Sequence, residues 1–97
     1  MKHVVLFRFA AEVEPAVQER EREAFRAALL ELAERLPQVV TSLEIGFNTN
    51  PREQWHIALV GTFPSAEHLS LYANHPDHLA AVGRLRPYLA GRACVDY

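Results

Sequence analysis

One cysteine in 97 residues excludes an internal disulfide and fits a reducing compartment. That residue, Cys94, lies in the apolar run Ala93-Cys94-Val95, which predicts a packed thiol and not a nucleophile. Basic clusters are missing too: ten Lys and Arg are scattered among twelve Asp and Glu, for a net charge of −2 with His neutral. Such a balance leaves no electrostatic footprint for nucleic acid or an anionic membrane. No apolar run approaches the length of a membrane span. The first residues read directly as a strand and not as a targeting leader, so cytoplasm is the expected compartment. Repeats, linkers and low-complexity stretches are also lacking, and the length suits one domain over residues 1–97.

What is present is a globular composition, 49% apolar and 23% charged. A core this small gains from a partner subunit. Lys2 to Phe9 is rich in β-branched and aromatic residues and predicts a strand, with His3, Val5, Phe7 and Phe9 on one face and Val4, Leu6 and Arg8 on the other. Pro15 suits a first helical position. From there Phe25, Ala28, Leu29, Leu32 and Leu36 form an apolar stripe. Glu19, Arg20, Glu23 and Arg26 line the opposite side, with Glu31 and Arg35 spaced as an i, i+4 pair. Pro37 ends that helix. Val39–Phe47 and His56–Phe63 predict two further strands around the turn-rich Asn48-Thr49-Asn50-Pro51. Ser65 is the expected N-cap of a second helix, broken near Asn74 because Pro76 biases His75 away from helical geometry. Pro76 then begins another helix with His78 or Leu79, Val82 and Leu85 inward, and Arg92–Tyr97 predicts the last strand.

This order is α+β, a ferredoxin-like βαββαβ sandwich with the first and third strands as central neighbours. Helices cover one face of such a sheet, so in a monomer the other should be polar. Instead Val4, Leu6, Ala58 and Val60 make it apolar. A homodimer joined through these sheet faces is the expected partner arrangement.

Five histidines hold the chain's candidate chemistry. His75-x-x-His78 with Asp77 supplies metal-ligand types, but Pro76 sets His75 outside the following helix. His3 and His56 begin antiparallel strands at opposite ends, so no third ligand is evident and neither a metal nor an organic cofactor is expected. His78 has the intrinsic chemistry of a general base. The same residues also allow His75 to cap a helix while His78 lines an inert core. His3 either reaches a pocket or finishes the strand's inner face. His68 is expected at the surface, and Trp55 as a plug at one end of a barrel.

Lys2-His3-Val4-Val5-Leu6-Phe7-Arg8-Phe9, Leu36-Pro37, Ser42-Leu43-Glu44-Ile45-Gly46-Phe47-Asn48, Ala58-Leu59-Val60, Tyr72-Ala73-Asn74-His75-Pro76-Asp77-His78 and Val95-Asp96-Tyr97 together resemble the stress-responsive α/β-barrel (Dabb) domain, and more distantly its plant member olivetolic acid cyclase. The resemblance implies a dimeric α/β barrel with a pocket between sheet and helices. It implies cofactor-independent acid–base chemistry of the cyclase, lyase or isomerase type, with Tyr72 and His78 as the catalytic pair. His3, Val5, Phe7, Ile57, Leu59 and Val82 would line the pocket, and a small hydrophobic or aromatic carbonyl compound would be the ligand. A non-catalytic binding or stress-response module is the alternative. The cyclase's third-strand histidine aligns with Ile57 and its first-helix tyrosine near Leu29. His56 lies one residue away, a step that in a strand reverses the face, so it is expected toward the dimer face or the frayed strand end.

Overall fold

The computed structural model describes all residues, 1–97. In chain order they form β1 (Lys2–Phe9), α1 (Pro15–Arg35), β2 (Ser42–Phe47), β3 (Ile57–Thr62), α2 (Ala66–Ala73), α3 (Pro76–Leu85), a 3-10 turn (Arg86–Tyr88) and β4 (Leu89–Asp96). The strands make one antiparallel sheet in the order β2-β3-β1-β4. This is the ferredoxin-like arrangement, with α2 and α3 sharing the second crossover. No helix is long and apolar enough to cross a membrane.

Alternation along β1 sorts its side chains as expected. His3, Val5, Phe7 and Phe9 are buried on the helix side, while Val4, Leu6 and Arg8 are half-buried on the far side. Phe25, Leu29 and Leu32 of α1 meet Val5, Phe7, Ile57 and Leu59 in the core. Burial of each Leu or Phe is worth about 1.5–3 kcal/mol.

Strand limits differ from the sequence reading. β2 starts at Ser42 and not at Val39, because the Leu36 carbonyl accepts from the N–H groups of both Val39 and Val40 in a turn that follows the helix. β4 starts three residues before the expected Arg92: Leu89 pairs with Phe9 across a register shift at Arg8/Phe9. That shift is a non-local feature of the partner strand, with no trace in local composition.

The helices α1 and α3 run antiparallel and are tied by charge at both ends. Near one end Arg84 donates through Nε and Nη2 to the Glu21 carboxylate at 2.9 and 3.0 Å. Arg20 adds a further bond at 2.9 Å. At the other end Arg35 reaches Asp77 at 2.7 Å. The expected Glu31–Arg35 pairing thus yields to a contact between helices. Glu21 itself is only 3% exposed, a buried acid that the charged pattern of α1 conceals.

The far sheet face keeps its apolar character. Val4 pairs with Val60 and Val95, and Leu6 with Ala58 and Ala93. Val95 is 61% exposed. Trp55 lies on this side, under the Arg8 guanidinium at 5.6 Å, where it bounds a hollow of about 430 Å³ with Leu6, Phe47 and Ala58.

The bonds from Arg84 and Arg20 hold the Glu21 carboxyl below its ordinary range despite its burial. With the folded pKa below the unfolded one, stability is fully present above the unfolded value and drains away as pH falls through the folded one. We expect Glu21→Gln to lower the melting temperature by about 4 °C or more at neutral pH. Thermal melts should show this deficit shrinking as pH falls below about 5. A deficit that is the same at neutral and acidic pH would contradict the ion-pair account.

Candidate functional site

Between the inner sheet face and the helices lies a cavity of about 580 Å³. Val5, Phe7 and Leu59 form its floor, Phe25 and Val82 its helical walls, and His3, His78, Arg86 and Arg92 its polar rim. The size suits a small organic ligand.

The break between α2 and α3 places His78. The Ser65 hydroxyl accepts from the His68 N–H at the start of α2, and His68 Nδ1 bonds the same hydroxyl at 2.7 Å. At the break His75 is extended (φ −62°, ψ 137°) and its Nδ1 accepts from the Asp77 N–H at 3.1 Å. His75 therefore caps α3, and Pro76 follows at the position where its missing N–H costs nothing. Two residues later His78 turns inward, on the same side as Val82 and Leu85. Leu79, the alternative inward residue, is exposed.

The His78 ring meets Tyr72 edge-on, with centroids 4.7 Å apart and planes at 61°. Phe63 packs on the tyrosine from another side at 5.2 Å. Tyr72 is 0% exposed, and its hydroxyl has no hydrogen-bond partner in the protein, nor has His78 Nδ1. Burial pushes the phenol's pKa far up. Burial also lowers that of His78, the nearby His3, Arg92 and His75 adding to the effect and the Ala73 carbonyl opposing it. The imidazole is therefore neutral at pH 7, the form that accepts a proton.

Of the expected wall residues, His3, Val5, Phe7, Leu59, Val82 and His78 face the cavity. Ile57 is buried in the core without reaching the wall. Tyr72 touches His78 but lies behind it. His56 takes neither of the two positions as simply as expected. It precedes β3, accepts a bond from the Phe9 N–H at 3.0 Å, and stacks edge-on against the Phe9 ring at 5.4 Å. Strand alternation does not govern a residue outside the strand, and the ring lies toward Arg22 of α1 and not on the far face. It remains apart from the Tyr72–His78 pair.

His3 Nδ1 is 2.5 Å from Asp96 Oδ1 across the β1–β4 pairing, and this bond is the main reason the Asp96 carboxyl is held low. Cys94, expected to be packed, is exposed beside them. β4 is an edge strand, so an apolar local sequence did not bury it. Arg86 and Arg92 were also missed as rim residues; only the β1–β4 register could have revealed Arg92, which sits opposite Phe7.

The family of stress-responsive A/B barrel domains matches residues 1–97. The chain belongs to that family. It is similar to a dimeric protein of unknown function with a ferredoxin-like fold from Bacteroides fragilis, at 36% identity, TM-score 0.94, over 99% of this chain and 92% of that one. A dimeric ferredoxin-like protein of unknown function from Jannaschia sp. CCS1 matches at 31% identity, TM-score 0.80, over 99% and 95%. A hydroxynitrile lyase from Passiflora edulis shares the fold at 16% identity, TM-score 0.76, over 99% and 89%. No curated protein matches.

A buried hydroxyl without a partner costs about 1–3 kcal/mol relative to one that is bonded. Tyr72→Phe removes that hydroxyl and keeps the ring contacts with Phe63 and His78. We expect its melting temperature to equal or exceed that of the parent. A clear loss of stability would show that the hydroxyl is bonded after all.

Proposed function

We propose that this member of the stress-responsive α/β-barrel family acts as a homodimer, joined through its sheet faces, whose cavity performs acid–base chemistry on a small carbonyl or polyketide-like compound. The observation that carries the chemistry is the placement of His78: half-buried on the wall of a largely apolar cavity and kept neutral by that burial. In the proposed step the imidazole takes a proton from an acidic C–H beside the carbonyl, and the released electron pair moves onto the carbonyl oxygen as an enolate. The enolate carbon then attacks a second carbonyl or expels a leaving group, and His78 returns the proton. The imidazole itself supplies the base. A cyclase, lyase or isomerase outcome depends on the substrate.

Tyr72 is the expected donor to the developing oxyanion. To act so it needs the His78 ring to swing aside, whereas to set that ring's tilt it needs no movement. Val5, Phe7 and Leu59 would grip the hydrophobic part of the ligand, with His3 at the polar end.

A second reading, a non-catalytic small-molecule-binding or stress-response dimer, is favoured by one fact: the Tyr72 hydroxyl is not on the wall. Planar and polyketide-like carbonyl compounds should be screened for binding and turnover against the parent, His78→Ala and Tyr72→Phe. The acid–base reading expects His78→Ala to lower turnover by roughly 10²–10⁴-fold while the fold stays intact. Hits that bind or react equally well with all three proteins would leave the binding module as the function.

The dimer rests on the far face, where Val4, Leu6, Ala58 and Val60 form an apolar centre uncovered within one chain. Both similar bacterial proteins above are described as dimeric. Sedimentation at micromolar concentration should give twice the chain mass for the parent and monomer or aggregate for Leu6→Asp. A folded parent monomer would refute this interface.

A further inference from the structure

We propose that His3, Cys94 and Asp96 form a binding site for a divalent cation of the zinc type. The sheet register brings them together. His3 lies directly opposite Asp96, and Val5, the next inward residue of β1, lies opposite Cys94. Cys94 and Asp96 are two residues apart and so share one face of β4. That is the face on which His3 meets the cavity rim.

Two of the three distances are those of a ligand set. Cys94 Sγ is 3.7 Å from His3 Nδ1 and 3.5 Å from Asp96 Oδ1. All three ligand atoms fall within 4.8 Å of one another. Tetrahedral zinc, with bonds of about 2.3 Å to sulfur and about 2.0–2.2 Å to nitrogen and oxygen, sets sulfur about 3.5 Å from each of the other donors. Both sulfur distances already match. The His3–Asp96 separation of 2.5 Å must widen by somewhat less than about 1 Å. The Asp96 side chain can yield, being exposed.

The donor types choose the ion. A thiolate and an imidazole beside one carboxylate suit zinc or cobalt and disfavour magnesium or calcium, which prefer oxygen ligands throughout. Thiolate and carboxylate together balance a dication, with the exposed Arg92 the cationic neighbour that acts on both. Three protein ligands leave a fourth position for solvent or a bound molecule, as open zinc sites do.

This inference stands apart from the acid–base reading, because its readout is spectroscopic and needs no substrate. The full chain, kept reduced and freed of metal, should be titrated with Co²⁺. We expect one equivalent per chain to give a near-ultraviolet thiolate-to-cobalt band and the visible bands of a tetrahedral ion, both displaced by Zn²⁺. Cys94→Ser, at an exposed position, should fold normally and lose the ultraviolet band. His3→Gln and Asp96→Asn should each weaken Zn²⁺ binding by at least the roughly 10–100-fold seen when even an outer partner of a ligand is removed. His75→Gln should leave Co²⁺ and Zn²⁺ binding unchanged. The proposal fails if the parent shows no thiolate band at saturating Co²⁺, if the band survives Cys94→Ser, or if His3→Gln and Asp96→Asn leave the affinity unchanged.

Discussion

The fold depends on β1 being apolar on both faces while it pairs on both edges. Its inner residues Val5, Phe7 and Phe9 are buried under the helices, and β3 and β4 flank it along nearly its full length. A strand in that position has no free edge. Shifting it by one residue would send Phe7 and Phe9 outward and Arg8 into the core. The register of β1 thus determines which residues of β3 and β4 look into the cavity, and His3 and Arg92 on its rim inherit their places from that pairing.

A second constraint is the proline that separates α2 from α3. It leaves His75 extended, where it caps the next helix, and rotates the chain so that Tyr72 and His78 meet although they are six positions apart. The histidine that looked most like a metal ligand by spacing is the one occupied with holding a helix end. Its neighbour is free to face the cavity because that end is held.

Much of this was legible in advance. The strand–helix order, the Ser65 cap, the break at Asn74 and the two-sided apolar strands all follow from local residue chemistry and periodicity. The Tyr72–His78 contact was anticipated through a resemblance, not through spacing. Most of what stayed hidden was non-local. Nothing near Glu21 announces that Arg84 will bury it from 63 residues away. The exposure of Cys94 follows from β4 lying at the sheet edge, and the early start of β4 follows from a register shift against β1. The turn after α1 delayed β2 because two N–H groups found the Leu36 carbonyl first. The position of His56 fell outside the alternation rule because the residue never enters the strand.

The two ion pairs that join α1 to α3 have a bearing on how molecules reach the interior. Glu21 with Arg84 fastens one end of the helix pair, and Asp77 with Arg35 the other. Parting these helices would strip the buried Glu21 carboxylate of two of its bonds. The roof over the cavity is therefore stiff, and the way in runs along the side where Leu89 to Arg92 pass the end of α3. A ligand entering there would meet the Arg86 and Arg92 side chains before the apolar floor of Val5, Phe7 and Leu59.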